Sequence, residues 1–465
     1  MTTLEIGLAS FPALLVLIFL RVPIGLAMFL VGFGGLFLVT GTSNMALAKM
    51  KNETYSTFSN YSLSIIPMFL LMGQFATLGG MSQALFKAAE SWLGHRKGGV
   101  AMAAIGACAG FGAIAGSSLA TAGTMGRVAL PELKAYGYAG GFSTATLAAG
   151  GTLGILIPPS VVLVIYAILA EQNISKLFLA AFVPGIMAAL GYMVAVSIYV
   201  RLYPDRAGTR APVPYKQRFH ALAKVWPIVM IFLLVIFGIA GDWNWSQNGI
   251  QALFTPTEGA AVGAFGVGLI AWRSGGLTWS SLIDSFLVTG RSSAMIFFII
   301  LGAGFYNGFL SLTQVPQEIA GWVVNQGLSP IGVLLLILVF YLLLGCLMDS
   351  LSMILLTVPI FFPVVMSLDF ALPPEHLAIW FGILVLIVVE VGLITPPVGL
   401  NLFVINAMDR QTPAVETYKA VGFFVATDLV RVAILITFPL SSTCPTLAVV
   451  VLFNKSKICL KGTEL

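Results

Sequence analysis

The chain is poor in charged residues. Only 9% of its 465 residues are Asp, Glu, Lys or Arg, whereas 58% are hydrophobic. Soluble globular domains typically carry about 25% charged residues, so this composition excludes an ordinary soluble protein. The mean hydropathy is +0.99. About ten apolar stretches approach the ~20 residues that a helix needs to cross a bilayer, which predicts a polytopic membrane protein.

The apolar stretches also lack any alternation of polar and apolar residues. Residues 331–345, IGVLLLILVFYLLLG, form one continuous apolar run. A transmembrane β-strand would instead show about ten residues of alternating polarity. The pattern therefore predicts an all-α polytopic membrane protein.

Histidine and cysteine are scarce, and a nucleotide-binding motif is absent. The three histidines, His95, His220 and His376, all lie outside apolar segments. The pair Gly116-Ser117 therefore has no candidate base within reach for serine-protease chemistry. The four cysteines suit neither a zinc site nor a disulfide framework. Because no GxxxxGK[ST] motif occurs, ATP is not the expected energy source, and we predict that the chain is not an enzyme.

Basic residues concentrate in one long polar loop. Residues 201–224 contain six Lys or Arg residues against a single acid, Asp205. Basic short loops remain in the cytoplasm, and no nucleic-acid-binding module flanks this one. The prediction is a cytoplasmic loop that joins two halves of the protein.

The two halves present similar elements in the same order. The first half has an amphipathic segment, Met81–Leu93, and the second has a corresponding segment, Val315–Asn325. Each is followed by a polar turn between short apolar arms. The turns occupy residues 113–126 and 346–353. Short arms that meet at a polar tip predict re-entrant hairpins, because irregular backbone at membrane depth is tolerated only inside protein or along a cavity.

Each hairpin is followed by an interrupted apolar segment. Residues 150–160 read GGTLGILIPPS and residues 390–400 read EVGLITPPVGL, so each contains Gly, three residues, then Pro-Pro. Proline lacks an amide hydrogen and clashes with the carbonyl one turn earlier, so both segments should be broken helices. Matched breaks in two halves of a membrane protein indicate the binding site of a transporter.

Two acids lie within apolar sequence. Asp349 sits at the second polar turn, and Glu390 follows the run 383–389. An ionisable residue in mid-membrane is by default a candidate functional residue. For Glu390, a structural hydrogen bond to a neighbouring helix and ion binding are equally compatible with the sequence.

Four segments, in this order, resemble the large membrane subunit of tripartite ATP-independent periplasmic (TRAP) transporters. They are AGSSLATAGTMG (115–126), GGTLGILIPPS (150–160), TPTEGAAVGA (255–264) and VGLITPPVGLNLF (391–403). The resemblance extends over residues 5–440. It implies two inverted repeats and an elevator-type ion-transporter fold, in which hairpins and broken helices slide against a scaffold.

The resemblance also implies a function and partners. The expected function is sodium-coupled import of an organic acid, such as a C4-dicarboxylate, sialic acid or a related carboxylate. The expected partners are a small four-helix membrane subunit on a separate chain and a periplasmic substrate-binding protein, and the expected location is the bacterial inner membrane. A self-sufficient sodium/dicarboxylate symporter of similar fold is the alternative.

Two sodium sites are implied, each between a hairpin tip and the following break. The residues transferred by motif are Ser117, Ser118, Gly154, Ile157 and Pro159 for the first site, and Asp349, Ser350, Gly392, Thr395 and Pro397 for the second. The predicted substrate-binding residues are Ser118, Thr121, Asp349 and Asn401. The predicted divisions are a first repeat (1–205), a cytoplasmic linker (206–224), a second repeat (225–440) and a tail without assigned function (441–465).

Overall fold

The computed structural model describes residues 2–240 and 253–439. Within these ranges the chain is helical and contains no β-strand, which confirms the predicted all-α class. The predicted tail, 441–465, lies outside the described residues.

The first half contributes ten α-helices. They are α1 (Thr3–Phe19), α2 (Ile24–Thr40), α3 (Ser43–Ser59), α4 (Ile65–Leu78), α5 (Met81–Leu93), α6 (Gly99–Ala115), α7 (Ser118–Ala135), α8 (Gly140–Leu156), α9 (Val161–Leu169) and α10 (Ile174–Leu202).

The second half contributes nine helices in its described part. They are α11 (Tyr215–Ala240), α12 (Pro256–Arg273), α13 (Trp279–Thr313), α14 (Val315–Asn325), α15 (Pro330–Gly345), α16 (Ser350–Met366), α17 (Pro374–Gly392), α18 (Leu400–Met408) and α19 (Ala414–Thr437).

Fewer helices have the length of a membrane span than the apolar stretches predict. In the described part of the chain, six helices are long and apolar enough, or seven if the bent pair α8 and α9 counts as one span. Five other apolar helices have only 10–17 residues, and they include α6, α15 and α16. The apolar sequence is thus divided among short helices, as expected for hairpin arms that do not cross the bilayer.

The two halves repeat one order of elements. An amphipathic helix (α5 or α14) precedes a hairpin (α6–α7 or α15–α16), and a broken helix (α8–α9 or α17–α18) follows. Both predicted breaks are present, and the first bends the chain by 46° between α8 and α9. The peptide bond within each Pro-Pro pair, Pro158-Pro159 and Pro396-Pro397, is cis.

Each hairpin turns between the residue that ends its first helix and the residue that caps the start of its second helix. Gly116 ends α6 with φ at 61°, a left-handed conformation that glycine adopts without steric cost. Ser117 then caps α7 by accepting a hydrogen bond from the amide of Ala120. In the second hairpin, Asp349 caps α16 by accepting from the amide of Ser352 at 3.1 Å. Both tips therefore place the amino end of a helix at the turn.

The broken helices form the centre of the molecule. Of the 18 consecutive residues that are most apolar in α17, 89% are buried, whereas in α11 the corresponding share is 28%. Helices α1, α2, α11 and α12 lie further out, where α2 packs on α13 and α12 packs on α4. Thr255 and Glu258 form a reciprocal capping box at the start of α12, so Glu258 stabilises a helix end.

The basic loop between the halves packs against the base of the first hairpin. Arg210 forms an ion pair with Glu90 of α5 at 2.7 Å, and its amide donates to the carbonyl of Gly94 at 3.0 Å. A Cβ atom at Gly208 would clash with the carbonyl of Tyr136. The predicted linker 206–224 is a loop only in its first part, because α11 begins at Tyr215.

A cysteine at Thr209 tests the predicted cytoplasmic position of this loop. Thr209 is exposed, so a cysteine there is accommodated, unlike one at the adjacent Gly208. In a chain whose native cysteines are replaced by serine, Thr209→Cys should resist a membrane-impermeant maleimide in intact cells and react once the cells are permeabilised. Rapid labelling of intact cells would place the loop outside and reverse the predicted topology.

Candidate functional site

The glycine of each Gly-x-x-x-Pro-Pro motif is the point where a broken helix crosses its own hairpin. A side chain on Gly154 would clash with Thr121 and with the Ser117 carbonyl, and one on Gly112 would clash with the backbone of Gly154. In the second half, Gly392 is in the same close contact with Gly345. Only glycine permits two backbones to approach so closely, which explains why both motifs need it.

The first tip gathers most of the oxygen atoms predicted from the sequence. The carbonyl of Ser117 and the hydroxyl of Thr121 lie beside Gly154, and the carbonyl of Pro159 lies beside Gly116. Ile157 ends α8, and its amide donates to the carbonyl of Leu153 at 3.1 Å. The structure therefore brings Ser117, Gly154 and Pro159 of the first predicted set together around one hairpin tip.

The second tip brings its predicted set together less completely. Gly392 contacts the amide region of Cys346, whose thiol donates to the carbonyl of Pro396 at 3.5 Å. Thr395 donates its hydroxyl to the carbonyl of Val391 at 2.6 Å. The carbonyl of Pro397 accepts a hydrogen bond from Tyr418 of α19 at 3.3 Å, a contact with no counterpart in the sequence prediction.

The two tips open into one shared cavity of about 80 Å³. Four of the predicted site residues line it, two from each tip. They are Ser117, Ser118, Asp349 and Ser350. The remaining wall is mostly apolar and includes Leu70, Ile155, Val161 and Ile296. A polar floor contributed by both halves, surrounded by apolar walls, is the usual composition of a small-ligand site.

Thr121 and Asn401, which are predicted to bind substrate, do not line this cavity. Both side chains are fully buried. Asn401 donates to the carbonyl of Ala148 at 3.3 Å, whereas its side-chain oxygen and the Thr121 hydroxyl have no hydrogen-bond partner. Buried polar atoms are normally paired, so these two oxygens have capacity for a further ligand inside the protein.

Glu390 lies between the two tips. Its Oε1 accepts a hydrogen bond from the Ser350 hydroxyl at 2.7 Å and from the Ser118 hydroxyl at 3.4 Å. The side chain is 1% exposed, and Oε2 has no hydrogen-bond partner. Both possibilities raised by the sequence stay open: the hydrogen bond to neighbouring helices is present, and one carboxylate oxygen remains unpaired.

The two breaks differ in exposure. Residues 151–160 are buried throughout, whereas Pro396, Pro397 and Val398 are exposed. The capping side chains differ too, because Ser117 is neutral and Asp349 carries a charge. The two halves therefore share a backbone plan but offer different surroundings to a bound ion.

A second buried polar group was not predicted from the sequence. Asp428 and Arg431 of α19 form an ion pair at 2.7 Å, and Tyr192 of α10 donates to Asp428 at 2.7 Å. The Tyr192 hydroxyl also lies 3.0 Å from that of Thr152 in the first motif. The available signal was the pair of charges within the apolar run of α19, since intramembrane charges are rarely incidental.

The described residues contain no group of three or more His, Cys, Asp or Glu side chains that could hold a metal ion. The atoms available at the tips are hydroxyl, carbonyl and carboxylate oxygens. Such donors suit hard cations and not thiolate- or imidazole-seeking metals. The unpaired Thr121 oxygen beside Gly154 fits this donor set.

Comparison with known proteins gives relatives along most of the chain. The chain is 37% identical over 380 residues to the C4-dicarboxylate TRAP transporter large permease protein DctM of Pseudomonas aeruginosa, which covers 81% of this chain and 84% of that protein. It is 30% identical over 393 residues to the isethionate TRAP transporter permease protein DctMQ of Oleidesulfovibrio alaskensis, covering 83% of this chain and 58% of that longer protein.

The fold also resembles a solved structure. The Alcanivorax borkumensis YdaH transporter superposes with a TM-score of 0.61, covering 86% of this chain and 90% of that one, at 14% sequence identity. Such low identity shows a shared fold alone.

A family model agrees with the relatives. The model of the DctM component of the tripartite ATP-independent periplasmic transporters matches residues 11–441. Nearly the whole described chain lies within that match, including both hairpins and both breaks. The chain therefore belongs to the DctM-component family of tripartite ATP-independent periplasmic transporters, and it is a multi-pass membrane protein.

Proposed function

We propose that the chain is the large membrane subunit of a sodium-driven importer of organic acids. The observation that carries this proposal is the cavity in which two hairpin tips meet, each against its own broken helix. Matched broken elements around a central cavity are the arrangement used by secondary transporters. Sodium is the proposed driving ion because the tips offer oxygen donors and the sequence contains no P-loop.

The residues that would hold sodium are those predicted from the sequence, with one addition. In the first half these are Ser117, Ser118 and the carbonyls near Gly154, Ile157 and Pro159, to which the unpaired Thr121 hydroxyl is added. In the second half they are Asp349, Ser350 and the carbonyls near Gly392, Thr395 and Pro397. Bound sodium would add a positive charge to a site where the amino ends of α7 and α16 already provide partial positive charge.

The tips also suit an anionic substrate. Helices α7 and α16 both begin at the cavity, at Ser118 and Ser350. Amide groups at a helix amino end favour negative charge. One relative is named for a C4-dicarboxylate, another for the sulfonate isethionate and a third for sialic acid. The dicarboxylate relative has the highest identity of the three, so a small dicarboxylate is the first substrate class to test and sialic acid is the second.

The proposed mechanism is an elevator with two partners. The hairpins and broken helices would move together against the outer helices, because their glycine contacts leave no side chains between them to repack. A periplasmic binding protein would deliver the substrate, and a small four-helix subunit would extend the scaffold. The proposed location is the bacterial inner membrane.

Uptake by proteoliposomes tests the proposal. Vesicles containing the chain and its small subunit, supplied with binding protein and radiolabelled succinate, should accumulate succinate when sodium is high outside. Replacing sodium with potassium or choline should abolish accumulation. Equal uptake in all three salts would exclude sodium coupling.

Two further arms of the same measurement separate the alternatives. Uptake by the chain without binding protein and small subunit would favour the self-sufficient symporter. Accumulation of sialic acid but not succinate would reassign the substrate class while leaving the coupling ion unchanged.

Substitutions at Asp349 separate its charge from its role as a helix cap. Replacing a capping Asp by Ala typically costs ~1 kcal/mol of stability, whereas Asn caps about as well as Asp. We expect Asp349→Ala to lower both the melting temperature and sodium-driven uptake, the latter by about tenfold or more, a loss of ~1.4 kcal/mol or more. Asp349→Asn should keep the melting temperature and retain part of the uptake, because it keeps an oxygen donor.

Ser329→Ala is the matched control for the cap. Ser329 caps α15 at the far end of the same hairpin, where it accepts from the amide of Gly332 at 3.2 Å. Its loss should reduce stability about as much as Asp349→Ala and leave the sodium dependence of uptake unchanged. If Asp349→Ala transports as well as Ser329→Ala, the second ion site lies elsewhere.

A further inference from the structure

A single carboxylate serves both hairpin tips. Glu390 stands on α17, one turn before the second break, and its Oε1 accepts hydrogen bonds from Ser350 and from Ser118. Ser350 is 40 positions away in the same half, whereas Ser118 is 272 positions away in the other half. The carboxylate thus joins two elements that the chain itself connects only through a long intervening sequence.

The first half has no equivalent carboxylate. Gly154 and Gly392 occupy matching places in their motifs, so the residue in register with Glu390 is Thr152. The Thr152 hydroxyl donates to the carbonyl of Ala149 and pairs with Tyr192. It makes no hydrogen bond to either tip. The acidic acceptor is therefore present once, at the centre, and is not repeated at each tip.

The direction of these hydrogen bonds matters for the serine oxygens. A serine hydroxyl has one hydrogen to donate and two lone pairs to offer. Because Ser118 and Ser350 donate their hydrogens to Glu390, their lone pairs remain free to face a cation. With the side chain 1% exposed, water does not compete for this role. Glu390 acts here as a positioning residue for both hydroxyls.

We propose that Glu390 couples the two ion sites, so that occupation of one tip raises the sodium affinity of the other. This inference rests on the proposed function, since it takes the cation at both tips to be sodium. Binding at one tip fixes its serine hydroxyl, which holds the shared carboxylate in the position that orients the second hydroxyl. Thermodynamic coupling of this kind is reciprocal, and it typically changes affinity by about 5- to 150-fold.

Sodium binding to the purified full chain in lipid nanodiscs tests the inference, with ²²Na⁺ as the probe. The wild type should bind sodium with a Hill coefficient of ~2, which is the limit for two strongly coupled sites. Glu390→Ala should bind with a Hill coefficient of ~1 and a midpoint raised about tenfold or more. Glu390→Gln keeps an oxygen that can accept a hydrogen bond from both serine hydroxyls, so this variant should retain much of the cooperativity.

Thr152→Val is the matched control, because it removes a buried hydroxyl in the equivalent register of the first half. It should keep the wild-type Hill coefficient, even if it lowers the melting temperature. A purely structural role for Glu390 would lower the melting temperature without changing cooperativity.

The outcomes separate the two proposals. If the wild type binds sodium and Glu390→Ala keeps its Hill coefficient, or if Thr152→Val loses cooperativity equally, the coupling role of Glu390 is wrong and sodium dependence stands. If the wild type shows no saturable sodium binding, the proposed function itself fails, and the coupling fails with it.

Discussion

The need to satisfy backbone groups at membrane depth governs this structure. Each Pro-Pro pair interrupts a helix within an apolar segment, and in hydrocarbon an unpaired carbonyl or amide costs several kcal/mol. Each hairpin tip lies against a break: the carbonyl of Pro159 lies beside Gly116, and that of Pro396 accepts a hydrogen bond from the Cys346 thiol. The glycine crossings follow from the same constraint, since tip and break must approach at backbone distance.

The repeated plan does not produce two equal sites. The first break is buried along its whole length and its hairpin is capped by the neutral Ser117, whereas the second is exposed at Pro396 and Pro397 and its hairpin is capped by Asp349. A cation at the second tip would meet a charge and a nearer solvent boundary. A cation at the first would depend on neutral oxygens, including the unpaired hydroxyl of Thr121. Such asymmetry permits the two ions to differ in affinity and in order of binding.

Local chemistry explains what the sequence could predict. Proline and glycine constrain the backbone directly, so both breaks and both hairpins could be placed correctly from the sequence. The amphipathic helices Met81–Leu93 and Val315–Asn325 have the predicted bounds. The cap formed by Thr255 and Glu258 depends on residues three apart and was equally accessible. The family match over residues 11–441 agrees with the resemblance read from the motifs.

Contacts between distant residues were beyond sequence reasoning. The sequence marked Glu390 as unusual. It could not show that Glu390 contacts Ser118, because that contact depends on how the two halves pack. The same holds for the hydrogen bond from Tyr192 to Asp428 and for the hydrogen bond from Tyr418 to Pro397.

The basic loop has a consequence for the order in which the chain is synthesised and folds. Its partners Glu90, Gly94 and Tyr136 all precede it in the chain. The ribosome has therefore already delivered these three partners before α11 emerges, so the amino-terminal half can hold this part of the loop while the carboxyl-terminal half is still being translated.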